Sequence, residues 1–169
     1  MAKRSNHYDA AFEAFLQSTG RPYVAIDETR RAQLDAVSLK SMDFIVDGRG
    51  YRLLLDVKGR RFRVGTQLGH RWEAWSDSDD VSSLLRWEVV FGPPFRAAFV
   101  FAYWITDPED EALHSCKFAY QGRTYAFYAV WVHEYARWMR TRSPKWSTVT
   151  LPSVTFRQLR RPWDEFIPV

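Results

Sequence analysis

The sequence predicts an α/β fold built around a mixed β-sheet, and three observations carry that expectation. Helical and extended spacings succeed one another in the order helix, strands, helix, strand, hairpin, helix. Leu53-Leu54-Leu55 and residues 96–105 are apolar with little alternation, as strands covered on both faces are. A chain of 169 residues that is 46% apolar and 26% charged has the size and composition of one globular domain, spanning residues 1–169, with room for a real core.

Taken in order, residues 7–19 put Tyr8, Ala11, Phe12, Phe15 and Leu16 at helical spacing, with Asn6 as cap and Gly20 as stop. Residues 22–26 make a short strand, followed by a polar, Arg-bearing connection to about residue 40. Residues 41–47 and 51–58 are two strands around the turn Gly48-Arg49-Gly50, and 61–64 extend the sheet. Residues 65–78 are irregular. Asp79 or Asp80 caps a second helix that Gly92-Pro93-Pro94 ends. The buried strand 96–105 follows, then a hairpin, 117–120 with 124–131, around Gln121-Gly122. A helix near 132–140 and short strands or turns near 148–156 complete the chain, while the acidic run 107–111 reads as a loop or helix start.

A net charge of +4 and a pI near 9.3 mildly favour a polyanionic partner, and arginine, the commoner cation here, suits bidentate phosphate contacts. Aromatics at 17%, eight of them Trp, fill a thick core first and offer stacking surfaces second. A lone Cys116 excludes an intrachain disulfide and a Cys-based structural zinc site. With no leader-like start and no apolar run long enough to cross a bilayer, a soluble, cytoplasmic protein is expected, with no membrane partner.

The chemistry concentrates at the central hairpin. Asp56 and Lys58 follow the buried run Leu53-Leu54-Leu55, where ionised groups are costly unless paired or bound to metal, and their spacing of two points them to one face. A four-residue loop 48–51 sets Asp43 opposite Asp56, and a two-residue loop makes them diagonal neighbours. Two carboxylates this close repel unless a divalent cation neutralises them. Mg²⁺ takes one or two carboxylates and keeps waters and substrate phosphate for the rest. A lysine beside such a pair can orient or deprotonate water, or neutralise charge on the phosphate.

At these residues the chain resembles the PD-(D/E)XK nuclease superfamily, with half-motifs Met42-Asp43 and Asp56-Val57-Lys58; Met42 stands where the family has proline. The resemblance implies a restriction-endonuclease-like, three-layer core over about residues 7–105, a mixed central sheet flanked by helices, with 106–169 as an elaboration. It implies Mg²⁺, with Mn²⁺ as substitute, held by Asp43, Asp56 and the Val57 carbonyl, and Lys58 serving the water. Many members add a glutamate from the preceding helix, a place Glu13 occupies here as metal ligand and catalytic residue. Glu88 shares a face with Val81, Leu84 and Leu85 on the second helix, where the superfamily often sets a polar residue near the metal. The expected activity is hydrolysis of nucleic-acid phosphodiesters by metal-activated water, on DNA rather than RNA, with homodimerisation common in the superfamily. The alternative is a non-catalytic nucleic-acid-binding or assembly domain of the same fold.

Arg60, Arg61 and Arg63 follow the motif and can grip phosphates beside the scissile bond. A second basic and aromatic set, Arg137, Trp138, Arg140, Arg142, Lys145 and Trp146, can track a strand or form a solvated face. His7, His70 and His114 are scattered and read as structural or surface groups, with His7 near Glu13. His133-Glu134 opens like a zinc-protease helix, but Arg137 stands where the second His is required. Neither a phosphate-cradling glycine loop nor a nucleophile elbow is present.

Overall fold

The structure is a computed structural model that describes residues 6–27, 29–34, 36–62 and 72–167. The first helix, α1 (His7–Ser18), starts where the Asn6 side chain accepts the Tyr8 N–H at 2.9 Å. Short strand β1 (Tyr23–Ala25) follows, then a hairpin of β2 (Arg31–Leu34) and β3 (Val37–Lys40), where the sequence reading expects only a polar connection. Its strands bury little beyond Leu39, so hydrophobic alternation does not announce them.

β4 (Phe44–Asp47) and the long β5 (Arg52–Phe62) pair antiparallel from Phe44–Leu55 to Asp47–Arg52, which is the register of a four-residue loop. β6 (Trp75–Asp77) leads directly into α2 (Ser78–Phe91), which Gly92 ends with φ of 66°, a conformation cheap only for glycine. β7 (Phe95–Ile105) pairs parallel with β5 along its whole length. After a 3₁₀ turn at Pro108–Leu113, β8 (Phe118–Tyr120) and β9 (Arg123–Trp131) form the expected hairpin, and α3 (Val132–Trp138) follows. β10 (Arg140–Ser143), β11 (Thr148–Thr150), α4 (Ser153–Leu159), β12 (Arg161–Pro162) and α5 (Trp163–Phe166) end the described chain.

The central sheet runs β1-β4-β5-β7-β9-β12, with β8 also on β9, and only the β5–β7 pair is parallel. Alternation along β5 divides the core in two. Leu53, Leu55 and Val57 pack with Phe12, Phe15 and Leu16 of α1 and Trp163 and Phe166 of α5. Leu54 and Phe62 face the other way, with Val81 and Leu84 of α2, Tyr135 of α3 and Phe156 of α4. A mixed sheet flanked by helices on both faces is the expected architecture. The aromatic surplus goes mainly into these layers: Phe12 alone meets Phe44, Phe127 and Trp163 edge-on at 5.0–5.5 Å. β10, β11 and β6 form a separate three-stranded sheet beside α2. Among the described residues no helix is long and apolar enough to cross a membrane.

Candidate active site

The site lies where β4 stops and β5 continues. The ladder between them ends at Phe44–Leu55, so β5 runs on from Asp56 with β7 on one side and, among the described residues, an open edge on the other. Asp43 finishes the pairing irregularly. Its N–H donates to Leu55 O at 2.8 Å although Phe44 is already opposite Leu55, a local bulge that re-aims the side chain. The carboxylate then takes the next β5 donor in place of a strand, with Val57 N–H to Asp43 Oδ2 at 2.6 Å. A residue's N–H and C=O point to the same edge of a strand, so the Val57 carbonyl is directed to this open edge as well.

Asp43, Asp56, Val57 and Lys58 line one cleft of about 400 Å³, together with Asn6, Asp9, Thr29, Lys40, Ser41 and Asp80. Asp43 is 4% and Asp56 9% exposed. Lys58 Nζ bridges two carboxylates, 2.9 Å from Asp56 Oδ1 and 2.6 Å from Asp80 Oδ2, and Lys40 Nζ holds the other Asp80 oxygen at 2.8 Å. Lys40 is itself fixed by α2: its N–H meets Ser83 Oγ at 3.1 Å and its carbonyl takes the Trp87 indole N–H at 2.8 Å. The result is an alternating chain of two anions and two cations, which is how ionised groups survive in a buried setting.

Burial is the largest influence on each of these groups. It lifts the Asp56 pKa above its ordinary value, with Lys58 pulling it down and Asp80 pushing it up. Burial alone disfavours the Lys58 ammonium, but Asp56 and Asp80 together outweigh that and hold its pKa above the usual lysine value. Asp80 shifts down because Lys58 and Lys40 overcome its burial.

The acids expected from the helices lie elsewhere. Glu13 does not line the cleft; its carboxylate accepts the Tyr23 hydroxyl at 3.0 Å and braces α1 against β1. Asp9, one helical turn earlier and 2% exposed, occupies the cleft wall. Glu88 accepts the Ala97 N–H at 2.7 Å and ties α2 to the start of β7. From α2 it is Asp80 that reaches the cleft, from the first turn of the helix. Sequence reading takes Asp79 or Asp80 for the helix cap; the cap position is Asp77, and both acids fall in the first turn, where the helix dipole favours them. Only the spatial return of α2 to the end of β5 reveals the second role of Asp80.

Of the basic residues, Arg60 is 9% exposed, lies over the Trp75 ring at 3.9 Å and donates to Gly59 O and Trp75 O. It lines a groove that continues the cleft past Gly59 to Trp75 and Ser76. Arg61 is exposed beside Trp104, 5.2 Å from its ring, whereas Arg63 and His70 lie outside the described residues. His7 is bound to Tyr125 Oη at 2.8 Å, and His114 is buried between Phe62, Trp72 and Tyr128.

The donor set is all oxygen: two carboxylates and a backbone carbonyl at one edge. Among the described residues no three acidic, His or Cys side chains form a metal-holding group by themselves. The all-oxygen chemistry of that donor set suits Mg²⁺, which completes its shell with water and substrate, better than zinc.

No family model and no curated protein matches the chain. Among solved structures, Archaeoglobus fulgidus Hjc, a Holliday junction resolvase from an archaeal hyperthermophile, matches with a TM-score of 0.53 and 12% identity, over 90% of this chain and 92% of that one. At such identity the likeness speaks for the fold. The chain has the restriction-endonuclease-like fold, and the match extends past the 7–105 core.

Proposed function

We propose that this chain is a metal-dependent nuclease that hydrolyses phosphodiester bonds of nucleic acid, DNA in preference to RNA. The observation that carries the reading is the convergence of Asp43, Asp56 and Lys58 on one cleft where the β4–β5 ladder ends. The fold shared with a Holliday junction resolvase supports it.

In this reading Asp43, Asp56 and the Val57 carbonyl hold Mg²⁺, or Mn²⁺ in its place, and Asp9 rather than Glu13 is the helix acid beside them. The bound metal supplies charge neutralisation at the phosphate and a more acidic water. The chain's own residues do the rest. The Val57 N–H fixes the Asp43 carboxylate in one orientation, which keeps the pair from splaying apart without substrate. Lys58, held as an ammonium by two carboxylates, offers a proton donor and a positive charge to the phosphate rather than acting as base. Exposed Arg61 adds a phosphate contact, and the half-buried cleft removes water that weakens all these interactions.

Calorimetry with Mg²⁺ or Mn²⁺ tests the metal assignment: binding is expected for the wild type and absent in Asp56→Ala. Unaltered binding in that variant rejects it. Incubation with labelled duplex, single-stranded, flapped and branched DNA, and with RNA, tests turnover. Tight binding without any cleavage would instead favour the non-catalytic nucleic-acid-binding domain.

A further inference from the structure

A second cavity, also about 400 Å³, opens between the small sheet and α4, lined by Trp72, Glu73, Trp75, Arg142, Thr150 and Ser153 among others. It is within the roughly 300–1,000 Å³ range of small-ligand pockets, far too small for a stacked duplex. It adjoins a groove that continues the candidate active site, and Trp75 stands between the two. The groove beyond the cleft is lined by Val57, Lys58, Gly59, Arg60 and Trp75, and Trp75 is also a wall of the second cavity.

The cavity is rigid where it needs to be. Trp75 sits opposite Thr150 in the β6–β11 ladder, and buried Arg60 packs over its ring at 3.9 Å. Beneath it, the Glu73 carbonyl accepts the Tyr103 hydroxyl at 2.8 Å and the Ala74 carbonyl accepts that of Tyr135 at 2.6 Å. Arg160 lies over Trp72 at 3.7 Å. By contrast Arg142, 4.9 Å from the Trp75 ring, is exposed and can be exchanged for another flat group or stack upon one. Guanidinium planes and indoles are the surfaces on which unpaired bases stack, and the Thr150 and Ser153 hydroxyls can meet a base edge.

We infer that this cavity receives one unpaired nucleobase of a nucleic acid whose backbone lies in the cleft, so that the protein prefers substrates with an unstacked nucleotide near the bound phosphates. The inference rests on the cleft binding nucleic acid, as proposed above, but not on its cutting it.

The test uses the full chain in EDTA and two duplexes that differ at one site. In one, a single 2-aminopurine is bulged and unpaired; in the other, the same base is paired with thymine. The wild type is expected to bind the bulged probe about tenfold tighter, within what one base stack contributes, and to quench its fluorescence. Arg142→Ala and Trp75→Ala should bring the ratio of the two probes' affinities to within about twofold, whatever loss the two probes share. Arg142 is exposed, so its variant keeps the test valid even if Trp75→Ala fails to fold. Lys145→Ala removes an equal charge from the same exposed segment and should preserve the preference. Equal affinity of the wild type for both probes, binding to neither, or an equal loss in Lys145→Ala overturns the inference. Base preference without cleavage in Mg²⁺ rejects the nuclease while this site stands; cleavage without base preference does the reverse.

Discussion

Lys58 Nζ lies 2.6 Å from Asp80 Oδ2, which joins the end of β5 to the first turn of α2 through one buried ion pair. Lys58 also reaches Asp56, and Asp80 also reaches Lys40, so the pair is the middle link of a chain of charges. Removing one member leaves charge buried without compensation, which costs about 3–5 kcal/mol. Asp80→Asn is therefore expected to lose about 3 kcal/mol in urea unfolding, the lower figure because Asp56 still holds Lys58. In a double-mutant cycle with Lys58→Met the two losses should be non-additive by about 1–3 kcal/mol, and strict additivity would show that the contact is energetically idle.

Gly59 is a point of close approach between β5 and α1. A Cβ there would overlap the Tyr8 ring. Gly59→Ala should cost about 1–3 kcal/mol through overpacking and disturb the cleft wall that α1 supplies. Combining it with Tyr8→Ala should recover part of that loss relative to the sum of the singles. Failure to recover any would locate the strain elsewhere.

His114 gives the protein an acid sensitivity separate from the site. Burial chiefly, with help from Arg160 and Lys117, depresses its pKa to about 4. In the unfolded chain the ring protonates near its ordinary value of 6.5, so between these values the unfolded state binds more protons. Stability is complete above about pH 6.5 and falls as pH drops toward 4. His114→Phe should flatten that stretch of the stability profile measured by urea unfolding; an unchanged slope would assign the sensitivity to other groups.

Much of this architecture was legible in the residues. Phe12, Phe15 and Leu16 announce α1, and Leu53-Leu54-Leu55 announces a central strand, because core packing writes a period into the chain. Two loop lengths were open at 48–51, and the structure takes the four-residue one. What escaped were features made by return of the chain in space. Glu13 and Asp9 share a helix face one turn apart, and the sequence pattern does not tell which of them reaches the cleft. Glu88 on the apolar face of α2 looked like a ligand, and serves instead as acceptor for the Ala97 N–H. Lys40 and Asp80 are 40 residues apart, and no local pattern links them. The terminal helices α4 and α5 are too short for periodicity to show.

The most direct test is cleavage of a labelled DNA panel, including branched forms, by wild type, Asp56→Ala and Lys58→Ala at equal protein concentration. The account predicts cutting by the wild type in Mg²⁺, none in EDTA, and a loss of roughly 10²-fold or more in each variant, the scale of a removed charge-stabilising group. Cleavage by Lys58→Ala at the wild-type rate would contradict it.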